Sequence, residues 1–286
     1  MVLTTSTAEP RIHPLKLYNS TQMKSIRNTV LSVVPALALT VNLLPAQAGV
    51  LAPGSVYDGK TLGEWSAEWV KYVESIPVSQ DPQNDTTGEK ANINQSGSVF
   101  FLVGTSTGES VTRKITVNEN QLLFFPLINI WNSNFPLAQN NPPQTGEELA
   151  NAIKPVIDTT NSLFFNLDGV ALSMDELFQH RETPAPFNIT LPENNFYGEP
   201  AGSSSVVASD GYWLMVEPLS IGKHTISFGG SLTFFGDLDP STPELDPFPQ
   251  NNTYEISVVS VPEPTAIVGL LGLGLCMGIS RRKQHV

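Results

Sequence analysis

The chain has 286 residues, with 15 Lys and Arg against 27 Asp and Glu, for a formal net charge of −12. A hydrophobic content of 40% supports a buried core and excludes a disordered chain, while 21 Gly and 23 Pro favour a turn-rich β protein over a helical bundle. The single cysteine, Cys276, excludes a disulfide framework, and the acidic balance disfavours nucleic-acid binding.

The first element is an apolar run at 30–44, preceded by Lys24 and Arg27 and followed by Ala46-Gln47-Ala48. A positive start, a short apolar stretch and small residues at Ala46 and Ala48 are the order of a secretory signal, so signal peptidase is expected to cut before Gly49. Met23 then becomes a candidate translation start, with residues 1–48 an upstream extension plus signal peptide. Residues 49–262 hold 8 basic against 25 acidic side chains, so the exported body carries a net charge near −17.

Thr61-Leu62-Gly63-Glu64 has the spacing of a capping box and predicts a helix to about Ser75, stopped by Pro77. Leu62, Trp65, Trp69, Val73 and Ile76 form one apolar stripe read as core, leaving Glu64, Glu68, Lys71 and Glu74 for solvent. A polar stretch at 80–97 follows, and then short β-like runs at 98–103 and 111–117. The second alternates, but Arg113 shares its apolar face and needs a carboxylate or carbonyl partner, with an ion pair the expected one. A run at 122–128 contains Pro126, which suggests a strand end or an edge.

Capping boxes at Thr145 and Ser173 predict two further helices, the first kinked or ended by Pro155. Strands are expected at 162–167, 187–191, 205–208, 212–216, 223–228 and 254–259, with Asp210-Gly211 as a hairpin turn. Eight or nine short strands with helical excursions predict a mainly β fold, a two-sheet antiparallel β-sandwich of jelly-roll type over 49–260, with an open barrel as the alternative.

The last element is a second apolar run at 265–280, followed by Arg281, Arg282 and Lys283. As a helix it would reach about 24 Å, slightly short of a hydrocarbon core of about 30 Å, and the trailing positive charge would leave the preceding domain outside. Pro262-Glu263-Pro264, this Gly-rich run and the basic Arg281-Arg282-Lys283 together resemble the PEP-CTERM sorting signal, over 261–286 only. The resemblance implies processing by an exosortase-type membrane protease and delivery to the cell surface or extracellular matrix; a plain single-span anchor is the alternative. The Trp65 and Trp69 helix, the segment 95–105 and the segment 218–225 are similar to a group of exported bacterial proteins with no assigned activity, which implies a shared fold.

Four sets of side chains are candidates for chemistry. Asp237, Asp239, Glu244 and Asp246 in a Pro-rich loop offer hard oxygen ligands for calcium, although an EF-hand read from Asp237 fails at Thr242 and Phe248. Trp131, at the head of Asn132-Ser133-Asn134, is a candidate sugar-stacking residue. His180 and His224 lack the spacing of a zinc site, and His224 is expected on the same strand face as Ile226 and Phe228. Ser203, Ser204 and Ser205 lack a nucleophile elbow, and no phosphate-binding or dinucleotide motif is present. The function expected is a non-enzymatic surface or matrix protein that binds extracellular polysaccharide, the alternative a secreted glycan hydrolase with a carboxylate pair.

Overall fold

The computed structural model describes residues 49–137, 142–233 and 247–261. All of them belong to one compact unit; the signal-peptide run, the acidic loop 237–246 and the sorting tail from Pro262 onward lie outside the described residues. Among the described residues no helix is long and apolar enough to cross a membrane.

The fold is mainly β. In chain order it comprises β1 (Val56–Tyr57), β2 (Lys60–Thr61), α1 (Leu62–Glu74), β3 (Val99–Phe101), β4 (Val111–Asn118), β5 (Leu122–Ser133), α2 (Gly146–Ile157), β6 (Ser162–Leu167), β7 (Val170–Ala171), α3 (Met174–Leu177), β8 (Arg181–Glu182), β9 (Phe187–Thr190), β10 (Ser204–Val216), β11 (Gly222–Thr233) and β12 (Pro247–Val259). One five-stranded sheet runs β3-β5-β10-β8, with β9 also on β10, and the other runs β4-β12-β11-β6-β7. The β3–β5 and β4–β12 pairs are parallel, so the sheets are mixed rather than wholly antiparallel.

Strand alternation sends one set of side chains from each sheet into a shared core. From the first sheet Phe125, Leu214 and Val216 meet Phe165, Ile226, Phe228 and Tyr254 of the second, with Phe125 and Phe228 ring centroids 4.2 Å apart. The opposite face of the first sheet carries Leu122, Phe124, Trp213 and Met215 and is covered by α1 through Leu62, Trp65, Trp69, Val73 and Ile76. Burying each of these side chains contributes about 1.5–3 kcal/mol. All three helices start at the expected capping boxes; Thr61 Oγ1 accepts from Glu64 N at 3.2 Å, and Glu64 Oε2 accepts from Thr61 N at 2.8 Å.

Four local expectations are corrected. Strand β5 passes through Pro126 to Ser133, because β3 pairs only with Leu122–Phe124 and a β-bulge falls at this point against β10, so the missing N–H costs little. Asp210-Gly211 is not a turn but the middle of β10. Asp210 is held in the sheet by Arg181 Nε at 3.0 Å, Arg181 Nη2 at 2.6 Å and Thr183 Oγ1 at 3.0 Å. Gly211 lets β5 approach so closely that a Cβ there would lie 2.6 Å from that of Asn129. Of the two effects expected of Pro155, an end of the helix there is excluded, since α2 continues two residues past it to Ile157. Arg113, 1% exposed, has carbonyl partners and, among the described residues, no ion pair: Nε donates to Asp85 O at 2.7 Å, Nη1 to Val103 O at 2.7 Å and Nη2 to Gly104 O at 3.1 Å. Its Nη1 also donates to Tyr254 Oη at 3.0 Å, and the guanidinium lies 5.5 Å from that ring.

Candidate functional site

A cleft of about 360 Å3 opens beside α1. Its walls come from the end of α1 (Trp69, Val73, Glu74), the following two 3-10 turns (Asp81, Gln83, Asn84), the segment after β3 (Gly104, Thr105, Ser106), the bulged part of β5 (Pro126 to Asn129, with Trp131), the loop after β9 (Asn195, Phe196, Tyr197) and the start of β12 (Phe248, Gln250). Arg113 ties two of these walls together from behind, since it holds the carbonyls of Asp85 and of Val103 and Gly104.

Glu74 is the notable side chain of the cleft. Expected on the solvent face of α1, it is 9% exposed, a correction with a clear cause. Trp131 Nε1 donates to its Oε1 at 2.7 Å and Tyr197 Oη donates to the same oxygen at 2.9 Å, so the aromatic walls close over it. Oε2 has no such partner among the described residues. Burial pushes the Glu74 carboxyl above the usual carboxylate range against the pull of these two donors, and the nearby Asp81 pushes the same way. Asp81 is itself raised by burial, while Gln83 N, at 2.8 Å from Oδ1, and the charges of Lys90 and Arg113 oppose the rise. Asn129 Nδ2, also in the cleft wall, is buried without a hydrogen-bond partner among the described residues.

The aromatic components differ in exposure. Trp69 is closed in, its ring 6.1 Å from Trp131 in an edge arrangement and its Nε1 donating to Leu102 O at 2.8 Å. Trp131, the predicted stacking residue, does line the cleft, but from within β5 and half-buried rather than from a polar loop. Phe196 is 83% exposed at the rim, edge-on to Tyr197 at 5.5 Å. Sequence reasoning missed Glu74, Asp81, Phe196 and Tyr197. A signal for Glu74 was present: Gly63, Ala67, Val70 and Glu74 recur at helical spacing and form a second covered stripe. Phe196 sits in an Asn- and Gly-rich turn, a polar setting that gives an aromatic no apolar periodicity to mark it.

The remaining candidates resolve differently. His180 is buried, and burial lowers its imidazole below the ordinary range, as for a core histidine. His224 Nδ1 lies 2.6 Å from Asp168 Oδ2, and Nε2 lies 3.3 Å from Ser220 Oγ, which has the outline of a serine triad. The same Nε2 is 2.8 Å from Ser220 O, however, nearer than to the hydroxyl, so the ring is directed at a backbone carbonyl of its own turn rather than at a nucleophile. Ser204 Oγ donates to Ile189 O and Ser205 Oγ to Val206 O, as ordinary strand hydroxyls do. Asp237, Asp239, Glu244 and Asp246 lie outside the described residues, as do Ala46, Ala48, Pro262, Glu263, Pro264, Arg281 and Arg282. Among the described residues no group of three His, Cys, Asp or Glu is placed to hold a metal ion.

No protein-family model matches the chain, and no curated protein matches it. Among solved structures, a cysteine protease inhibitor from Entamoeba histolytica is similar at 11% identity over 57% of this chain and 100% of its own, with a TM-score of 0.17. The solution structure of amebosin is similar at 9% identity over the same shares, also with a TM-score of 0.17. Likenesses at that score carry no argument about fold or function.

Proposed function

We propose that this is an exported surface or matrix protein whose cleft binds a saccharide of the extracellular polysaccharide. The observation that carries the reading is the composition of the cleft: Trp131, Tyr197 and exposed Phe196 provide ring-stacking faces, while Glu74, Gln83, Asn84 and Asn129 provide hydrogen-bonding groups for hydroxyls. In this reading the two facing sheets form a β-sandwich of jelly-roll type that serves as scaffold. Signal peptidase and an exosortase-type protease process the ends, the C-terminal apolar run anchors the chain in transit, and calcium at the Asp237 to Asp246 loop is a separate expectation for calorimetry.

Binding of the purified protein to an array of neutral and charged oligosaccharides tests the reading. Capture of at least one class, weakened by Phe196→Ala and by Trp131→Ala, supports it; no capture removes it. A second reading, glycan hydrolysis, is favoured by two raised carboxyls in one cleft. Turnover abolished by both Glu74→Gln and Asp81→Asn would select it over binding alone.

A further inference from the structure

Resting on the saccharide reading of the same cleft, we infer that its ligand is cationic, a saccharide with free amino groups whose ammonium is taken up at Glu74 Oε2 between Trp131 and Tyr197. The lining joins aromatic rings to two carboxyl groups, the combination that suits an organic cation, since ring faces and carboxylates both attract positive charge. No Lys or Arg lines the cleft among the described residues, and the internal segments 138–141 and 234–246 contain none. An anionic sugar would meet repulsion, and a neutral one would bring no charge to stabilise the ionised form of Glu74 against its burial.

The arrangement of Glu74 supports the same assignment. Its two neutral donors both use Oε1, so Oε2 is the atom left for a third, charged donor. The charged group acting on Glu74 is Asp81, of the same sign. The cations near Asp81 do not supply the missing charge: Arg113 is 1% exposed with its donors on backbone carbonyls, and Lys90 is not part of the lining. An ammonium favours the ionised form of both carboxyls, so affinity should rise with pH until the sugar amine loses its proton.

The test is calorimetric titration of the full chain, in a detergent without sugar headgroups, with a glucosamine oligosaccharide and with its fully N-acetylated counterpart at about pH 6. We expect the amine form to bind at least about tenfold more tightly, with only its affinity falling as salt is raised. Glu74→Gln should remove the difference, bringing the amine form down to the affinity the acetylated one has for the same variant. Asp81→Asn, a change in the loop after α1, should give a smaller loss of the same kind. Equal or tighter binding of the acetylated form would overturn the cationic assignment and leave the saccharide reading standing. Binding of neither form, nor of any other oligosaccharide, would overturn both.

Discussion

Arg113 and Glu74 are both buried charges, exposed by 1% and 9%, and they differ in how their hydrogen-bonding capacity is used. Arg113 gives its donors to three backbone carbonyls and the Tyr254 hydroxyl, and so acts as a strut between segments. Glu74, in a cleft wall, has one oxygen held by two neutral donors and the other without a partner among the described residues, with its carboxyl raised by burial. Burial of a charge therefore does not mark a site in this molecule. An incompletely used buried charge at a cavity does.

Removing the strut should have the largest effect. Arg113→Met leaves the Asp85 and Gly104 carbonyls without their donor, while Val103 O keeps the Tyr254 hydroxyl and Tyr254 Oη keeps Val103 N, with an expected loss of about 3–5 kcal/mol in chemical denaturation and loss of the cleft with it. Arg113→Lys keeps the charge but cannot reach all four acceptors and should still cost about 2 kcal/mol. A loss under about 0.5 kcal/mol for either would break the contrast with Glu74.

Trp131→Phe comes next. It keeps most of the ring but removes the N–H donated to Glu74, and should cost about 1 kcal/mol while raising the Glu74 carboxyl further. Carboxyl titration followed by NMR reads the direction; a fall would contradict the geometry.

Asp85 sharpens the comparison from the acidic side. Burial acts to raise its carboxyl, but the N–H groups of Lys90, Thr87 and Gly88 and the Thr87 hydroxyl outweigh it and hold the group below the usual range. Its contribution is present above the unfolded-state value and is lost as pH falls through the folded value, so Asp85→Asn should destabilise at neutral pH and matter little in strong acid. Phe196→Ala should have the smallest effect on stability, within about 0.5 kcal/mol, because its ring already faces solvent. Its effect should fall on ligand affinity instead.

The parts of the fold that depend on local chemistry were legible in the sequence. Three capping boxes located three helices, and the alternation of 111–117 located β4 with its buried face, including Arg113. What failed was set by neighbours. Pro126 and Asp210-Gly211 are turn signals in isolation, and they lie inside long strands because a bulge, a departed partner strand and the Arg181 guanidinium accommodate them. The site was legible only at Trp131, since Glu74 becomes a cleft residue only when a ring from β5 and a phenol from the loop after β9 fold over the end of α1.

That Glu74 is a buried carboxyl with incompletely used hydrogen-bonding capacity is open to one direct measurement, the thermal stability of the wild type and of Glu74→Gln across the carboxylate titration range without ligand. Because the folded carboxyl lies above its unfolded value, its stabilising contribution is present at low pH and lost as pH rises through the folded value. Glutamine can still accept from Trp131 and Tyr197 and carries no charge, so the variant should become the more stable of the two as pH rises, with the gap widening. A variant less stable by the same amount at every pH would show Glu74 to be an ordinary structural acid.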